Sequence, residues 1–172
     1  MDSLDKKGLL NEGVDFPEAA LRAAYSTVKR TMSALGERAD GRTGGFLCVR
    51  CDDREQPFLI AQIGYVAREK ADRYFRLCQE KAVRLAQHPD HRLSWQSRDP
   101  SVEQYGGAVR FINRIDSACS FIFSFSGLPE DGDEASMALI GPEVDFASTE
   151  SLLALAAISK NELLRMEQNS SS

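Results

Sequence analysis

The chain is predicted to form an α+β domain built on an antiparallel sheet. Segments with helical periodicity alternate with segments whose β-branched and aromatic residues repeat every second position. The strand-like segments come in pairs separated by short polar turns, as antiparallel strands do. The length of 172 residues fits one domain with a single core. We place this domain at residues 15–166, between an N-terminal arm at 1–14 expected to be flexible and a tail at 167–172 expected to be disordered.

The first half of the chain predicts two helices around a strand pair. Asp15 is a candidate N-cap and Pro17 an early helix proline, and the apolar residues that follow recur at helical spacing as far as Gly36. A loop rich in glycine and arginine comes next, followed by two apolar runs with a polar turn between them. The predicted elements are a helix at 15–36, strands at 46–51 and 58–65, and an amphipathic helix at 68–87.

The second half predicts a long loop, a second strand pair and closing helices. Residues 88–105 are polar and contain the only tryptophan, Trp95, which is typical of a surface loop that carries binding groups. The last strand places three phenylalanines on one face and three serines on the other. The serine face either packs against a helix or solvent, or lines a cavity. The predicted elements are strands at 108–113 and 118–126 joined at 114–117, a helix beginning after Pro129, and a final helix at 148–166.

Composition and charge argue against several classes of protein. The net charge of −5 and a pI near 5.1 do not provide the basic surface that nucleic-acid binding requires. No apolar run is long enough to cross a bilayer, and the first residues lack the apolar core of a signal peptide. We therefore expect a cytoplasmic protein without a nucleic-acid or membrane partner.

Cysteines and histidines do not predict a metal site. Cys48 and Cys51 lie three residues apart in a predicted strand, so their side chains point to opposite faces and cannot chelate together. His88 and His91 are separated by two residues, one fewer than the usual zinc-finger spacing. In a reducing cytosol we also expect no disulfides.

One part of the chain resembles a known family. Residues 106–137 contain a Gly-Gly pair, an apolar strand and the run FSFSGLPEDGDEASM, and a Lys-Ala pair stands at 81–82. Over residues 46–139 these motifs resemble the GlcG/HbpS-like family, also called haem-degrading domain proteins, and especially its poorly characterised branch. The coinciding positions are Gly106, Gly107, Ser126, Gly127, Leu128, Pro129 and Asp133. We interpret them first as structural turn residues, because glycine permits close backbone approach and positive φ.

The resemblance implies a profilin-like fold, with an antiparallel sheet of about five strands and helices on both faces. It also implies a homo-oligomer, because relatives assemble into dimers or larger rings. Haem or a related tetrapyrrole is the cofactor it suggests, since members are connected with haem binding and with corrinoid or glycolate pathways. It does not imply one activity, and where many relatives continue the Lys-Ala pair with Thr-Ala this chain has Val83-Arg84.

Two main hypotheses of function remain open. The first is a non-catalytic binding or sensing protein in which the second helix and the long loop form a pocket, since cationic, aromatic and imidazole groups suit an anionic planar ligand. Its candidate ligand-binding residues are Lys81, Arg84, His88, His91, Trp95, Arg98 and Tyr105. Each of them also has an ordinary structural explanation, as a solvated helix residue, a loop anchor or an exposed side chain.

The second hypothesis is an oligomeric assembly module without a small ligand. Apolar residues at 152–164 cover more than one helix face, which favours a second layer or a second subunit as partner. A haem-degrading enzyme is a further alternative. No catalytic residue is assigned, because the sequence shows no Ser-His-Asp set, phosphate loop or nucleophile elbow.

Overall fold

A four-stranded antiparallel sheet forms the centre of the computed structural model, which describes residues 16–112, 120–144, 146–147 and 149–169. The predictions for the arm at 1–14, the Asp15 cap, the turn at 114–117 and the last residues of the tail lie outside the described residues. The helices and strands are α1 (Phe16–Leu35), β1 (Thr43–Cys51), β2 (Leu59–Tyr65), α2 (Arg68–Ala86), β3 (Ala108–Ile112), β4 (Ser120–Ser126), α3 (Glu130–Ala138), α4 (Ile140–Glu143), α5 (Thr149–Ser159) and α6 (Glu162–Asn169).

The strands follow the order β2-β1-β4-β3, and all neighbours are antiparallel. This confirms the α+β class and the antiparallel sheet. The described residues contain four strands, where about five were expected. Beside β3, the long loop contributes one isolated bridge, Leu93 to Val109, because 3₁₀ turns at Ser94–Ser97 and Pro100–Val102 interrupt its extended backbone.

Helices cover both faces of the sheet, as expected. Residues such as Val49 and Phe123 of β1 and β4 face the core formed with α1 and the C-terminal helices. The opposite face carries Cys48 and Ile122, which pack against Cys78 and other apolar residues of α2. Because side chains alternate along a strand, the serines of β4 lie on this α2 side.

The C-terminal segment is two helices, which corrects the single helix predicted at 148–166. The chain breaks at Lys160, which has a φ of 58°, and Asn161 then caps α6 by accepting a 3.1 Å hydrogen bond from the backbone N–H of Leu163. Leu155 and Leu164 are buried in the chain's own core. Much of the apolar surface at 152–164 is thus covered within the chain.

None of the helices in the described part of the chain is both long and apolar enough to cross a membrane.

Candidate functional site

A buried ion pair joins α2 to the turn between β4 and α3. Lys81 is only 2% exposed, and its Nζ donates to Asp133 Oδ2 and to the carbonyl of Phe125, each at 2.9 Å. The other carboxylate oxygen of Asp133 accepts from the backbone N–H groups of Gly127 and Leu128, at 3.1 and 2.8 Å. One lysine and one aspartate therefore hold three elements in a fixed arrangement.

Burial sets the electrostatics of this pair. It raises the pKa of Asp133 to about 6, while the attraction of Lys81 and the two backbone N–H groups act in the opposite direction. The charged form of Asp133 thus depends on Lys81 being in place.

The Gly-Gly pair fits closely around the ion pair. Gly107 has a φ of +120°, and a Cβ there would lie 2.8 Å from Lys81 Nζ and 2.9 Å from Asp133 Cβ. Only glycine both adopts this positive φ readily and leaves room for the side chains of Lys81 and Asp133. The backbone N–H of Gly106 donates to Glu130 Oε1 at 2.7 Å, and the same oxygen accepts from Arg98 Nε at 2.6 Å.

Arg84 anchors the long loop. Its guanidinium is buried and pairs with Glu80 at 2.6 Å. It also donates to the carbonyls of Ser94 and Tyr105, at 2.7 and 2.6 Å, and to Ser97 Oγ at 2.6 Å. The structural explanation expected for Arg84, a solvated helix residue, is therefore wrong, because the side chain is buried and its contacts hold the long loop.

The two histidines lie at the start of the loop, stacked on each other at 4.6 Å between ring centroids. Arg110 donates to the carbonyls of His88 and His91 and forms an ion pair with Asp52 at 2.8 Å. The sequence did not single out Arg110, because an arginine inside a strand carries no motif that signals such a contact.

A pocket of about 290 Å³ opens beside the ion pair, between α2, the long loop and the start of α3. We call it the Lys81 pocket. The sequence candidates among the residues that line it are Lys81, Tyr105, Ser126, Pro129 and Asp133. Thus one serine of the β4 serine face lines a cavity, while Ser124 is fully buried under α2. Arg84, His88, His91 and Arg98 do not line this pocket, and Trp95 lines another cavity.

The pocket also contains two arginines that the sequence did not nominate. Arg73 Nε is paired with Glu103 at 2.9 Å, whereas Arg42 forms no ion pair with a described residue and its Nε is buried without a hydrogen-bond partner. Since Lys81 and Glu130 are each paired as well, Arg42 leaves one positive charge unbalanced. Its position in a Gly- and Arg-rich loop gave no signal beyond that of a turn.

The donor set of the Lys81 pocket does not suit haem. The described residues that line it include no His, Cys or Met, and only the hydroxyls of Tyr74 and Tyr105 resemble known side-chain ligands of haem iron. Burial raises the pKa of Cys48 to about 11 and of Cys78 to about 12, so both remain protonated thiols. Within the described ranges, no group of three or more His, Cys, Asp or Glu side chains is arranged to hold a metal ion.

Comparison with known proteins gives one structural similarity. The crystal structure of Klebsiella pneumoniae protein ORFY, a DUF336 protein, matches with a TM-score of 0.44 and 11% sequence identity, covering 76% of this chain and 90% of that one. DUF336 is also called GlcG-like. No family model matches the chain, and no curated protein matches it in sequence.

Proposed function

We propose that the chain is a non-catalytic small-molecule binding protein whose Lys81 pocket takes a small organic anion. The observation that carries this proposal is Arg42, with a buried Nε that has no hydrogen-bond partner. A buried donor without an acceptor costs free energy, and an anionic ligand would remove that cost.

The remaining lining suits a ligand of modest size. Leu77, Leu128 and Pro129 provide apolar contacts, and Tyr74 and Tyr105 provide aromatic ones. A pocket near 290 Å³ is at the lower end of the range for small-molecule sites. A compact carboxylate or phosphate therefore fits better than a tetrapyrrole macrocycle such as haem.

Thermal unfolding with phosphate, glycolate and succinate as probes tests this proposal. A ligand at a hundred times its Kd stabilises by about 2.7 kcal/mol, which raises the melting temperature of a chain of this size by roughly 5 to 10 °C. We expect this rise with at least one probe, and we expect Arg42→Gln to abolish it. The control is Arg22→Gln, which removes an exposed arginine paired with Glu18 on α1 and should leave the rise unchanged.

Two outcomes would count against the anion proposal. The first is that no probe shifts the melting temperature, and the second is that the shift survives in Arg42→Gln. Native mass spectrometry with hemin tests the tetrapyrrole alternative in the same preparation. Uptake of one hemin per chain that is lost in the Tyr74→Phe or Tyr105→Phe variant would show that the pocket binds a tetrapyrrole and not a small anion.

We also propose that the chain forms a homo-oligomer through the edge of β2. In the described sheet β2 pairs only with β1, and its sequence LIAQIGY contains neither charge nor proline. Natural edge strands usually carry such features to prevent pairing with another chain. Ile60 on β2 and Phe75 on α2 are exposed apolar residues, and both lie on the α2 side of the sheet.

A further inference from the structure

A second cavity, of about 460 Å³, lies between the start of α3 and the turn that joins α5 to α6. Glu134 lines it, and we call it the Glu134 pocket. Trp95 of the long loop also lines it, as do Lys160 and Glu162 from the α5–α6 turn. This cavity shares Glu130 with the Lys81 pocket, but neither Arg42 nor the Lys81 ion pair lines it.

Glu134 is an unusual carboxylate because it is buried without a cation. It is 2% exposed, and its Oε1 accepts from Asn161 Nδ2 at 3.1 Å and from the hydroxyl of Ser159. Its Oε2 is buried and has no hydrogen-bond partner. Neutral donors thus satisfy one oxygen, while the other has no partner.

The other acidic groups around this cavity are already paired. They are Glu130 with Arg98 at 2.6 Å, Asp131 with Arg38 at 2.5 Å, and Glu162 with Arg165 at 2.9 Å. Lys160 lies exposed on the α5–α6 turn and forms no ion pair with Glu134. Among the described residues of the pocket, Glu134 is therefore the carboxylate whose charge no partner balances.

Trp95 adds an aromatic wall to the same cavity. An indole ring attracts ammonium and guanidinium groups, and the attraction strengthens where water is excluded. A buried carboxylate oxygen accepts strong, charge-assisted hydrogen bonds from N–H donors. The two groups that line this cavity are of the kinds that suit an organic cation with N–H groups.

We propose that the Glu134 pocket binds a small organic cation with N–H donors, a primary amine or a guanidinium compound. The cation donates to Glu134 Oε2 and packs its alkyl chain and charge against Trp95. A bare metal ion is a poorer ligand, since the described residues provide no cluster of three metal-ligating side chains here. This site does not depend on the anion pocket being correct.

Binding should strengthen as the pH rises. Burial raises the pKa of Glu134, and the nearby carboxylates Glu130 and Asp131 add to that rise, while Arg38 and Lys160 are the cationic residues of the same pocket. A cation binds the ionised carboxylate, so the ligand competes with the proton.

The intrinsic fluorescence of Trp95 provides a direct readout, because it is the only tryptophan in the chain. The probes are butylamine, with 1-butanol as its neutral analogue and butyrate as its anionic one. We expect a saturable fluorescence change with butylamine that becomes tighter at higher pH, and none with the two analogues.

Two variants with the same change of net charge separate specific contact from general electrostatics. Glu134→Gln keeps the acceptor for Ser159 and Asn161 and should weaken butylamine binding about tenfold or more. Glu18→Gln removes an exposed charge on α1 that is already paired with Arg22, away from the residues that line the pocket, and should change butylamine affinity by less than about threefold. Circular dichroism checks that both variants fold. No saturable change with butylamine, or equal affinity in Glu134→Gln and the unchanged protein, would overturn the proposal.

Discussion

Asp133 and Glu134 are neighbours in sequence but lie in opposite electrostatic situations. Consecutive helix residues point in different directions, so Asp133 faces Lys81 at 2.9 Å while Glu134 faces the hydroxyl of Ser159 and the amide of Asn161. Both are almost fully buried. Neutralising the Asp133 carboxylate would therefore break an ion pair with Lys81. Neutralising the Glu134 carboxylate would instead remove a buried charge that no cation balances.

The isosteric variant Glu134→Gln tests this difference through pH. Burial raises the pKa of Glu134 above its ordinary 4.5, so the folded state keeps the proton where the unfolded chain has lost it. The resulting stabilisation is complete below pH 4.5 and disappears as the pH rises through the raised pKa. Glutamine remains neutral throughout, so we expect the melting temperature of Glu134→Gln to exceed that of the unchanged protein by a margin that grows with pH.

Melting curves measured between about pH 4.5 and pH 8 check this expectation. Glu162→Gln is the control, because Glu162 is exposed and no comparable growth of the margin is expected there. A margin for Glu134→Gln that is constant or shrinks with rising pH would show that Glu134 is not destabilised by burial in the folded state.

Sequence could nominate some residues of the two cavities but not those that define their charge. Lys81 and Asp133 stand in recognisable motifs, and the structure brings them together in one pocket. Arg42 stands in no motif, and Glu134 lies in the run FSFSGLPEDGDEASM without being one of the positions that coincide with the family. Their lack of a partner results from the packing of distant segments, which periodicity and spacing do not encode.

At the level of elements, local patterns predicted most helices and strands well. The helix predicted at 68–87 is Arg68–Ala86, and the strand predicted at 58–65 is Leu59–Tyr65. The prediction of a single C-terminal helix was wrong because the break at Lys160 and Asn161 depends on contacts with α3. Asn161 donates to the carbonyl of Asp131 and to Glu134 on α3, at 2.9 and 3.1 Å, and this tertiary contact outweighs helix propensity.

Lys81 on α2 links β4 and α3 through its contacts with Phe125 and Asp133. Removing its charge should therefore lower the free energy of unfolding. Lys81→Met keeps most of the side chain's volume but leaves the Asp133 carboxylate buried without its counter-ion. Breaking a buried pair in this way typically costs about 3 to 5 kcal/mol. We expect a loss of that size in the free energy of unfolding, measured by urea denaturation.

Two further variants distinguish the ion pair from a general effect of losing a lysine. Lys70→Met removes an exposed lysine from the same helix and should cost less than about 0.5 kcal/mol. Lys81→Met combined with Asp133→Asn removes both charges and should recover part of the loss, because asparagine can still accept from Gly127 and Leu128. If Lys81→Met were no more costly than Lys70→Met, the pair would not hold these elements together.

At the scale of the whole molecule, the pairing of distant strands was the part that sequence could least specify. The alternation of phenylalanine and serine predicted two different faces for β4, but not that β4 pairs with β1 in the middle of the sheet, as Phe123 does with Val49. Neighbouring hairpins could have been joined in other orders. The observed order leaves β2 as an edge, and this edge determines where a second copy could add.

Adding a charge to that edge should prevent the proposed self-association. Lysine on an edge strand blocks pairing between sheets because its charge would have to be desolvated. Ile60 is 36% exposed, so Ile60→Lys places the ammonium in solvent in the single chain and in the interface of an oligomer. Size-exclusion chromatography with light scattering should give a multiple of 19.0 kDa for the unchanged protein and a single chain for Ile60→Lys.

Leu153→Lys is the matched control, because it introduces the same charge at an exposed leucine of α5, on the opposite side of the sheet from α2. It should leave the measured mass unchanged, since the proposed interface involves β2 and the exposed apolar residues beside it. A single-chain mass for the unchanged protein would refute self-association altogether. An oligomer that persists in Ile60→Lys but dissociates in Leu153→Lys would instead place the interface on the C-terminal helices, where the apolar residues at 152–164 first suggested it.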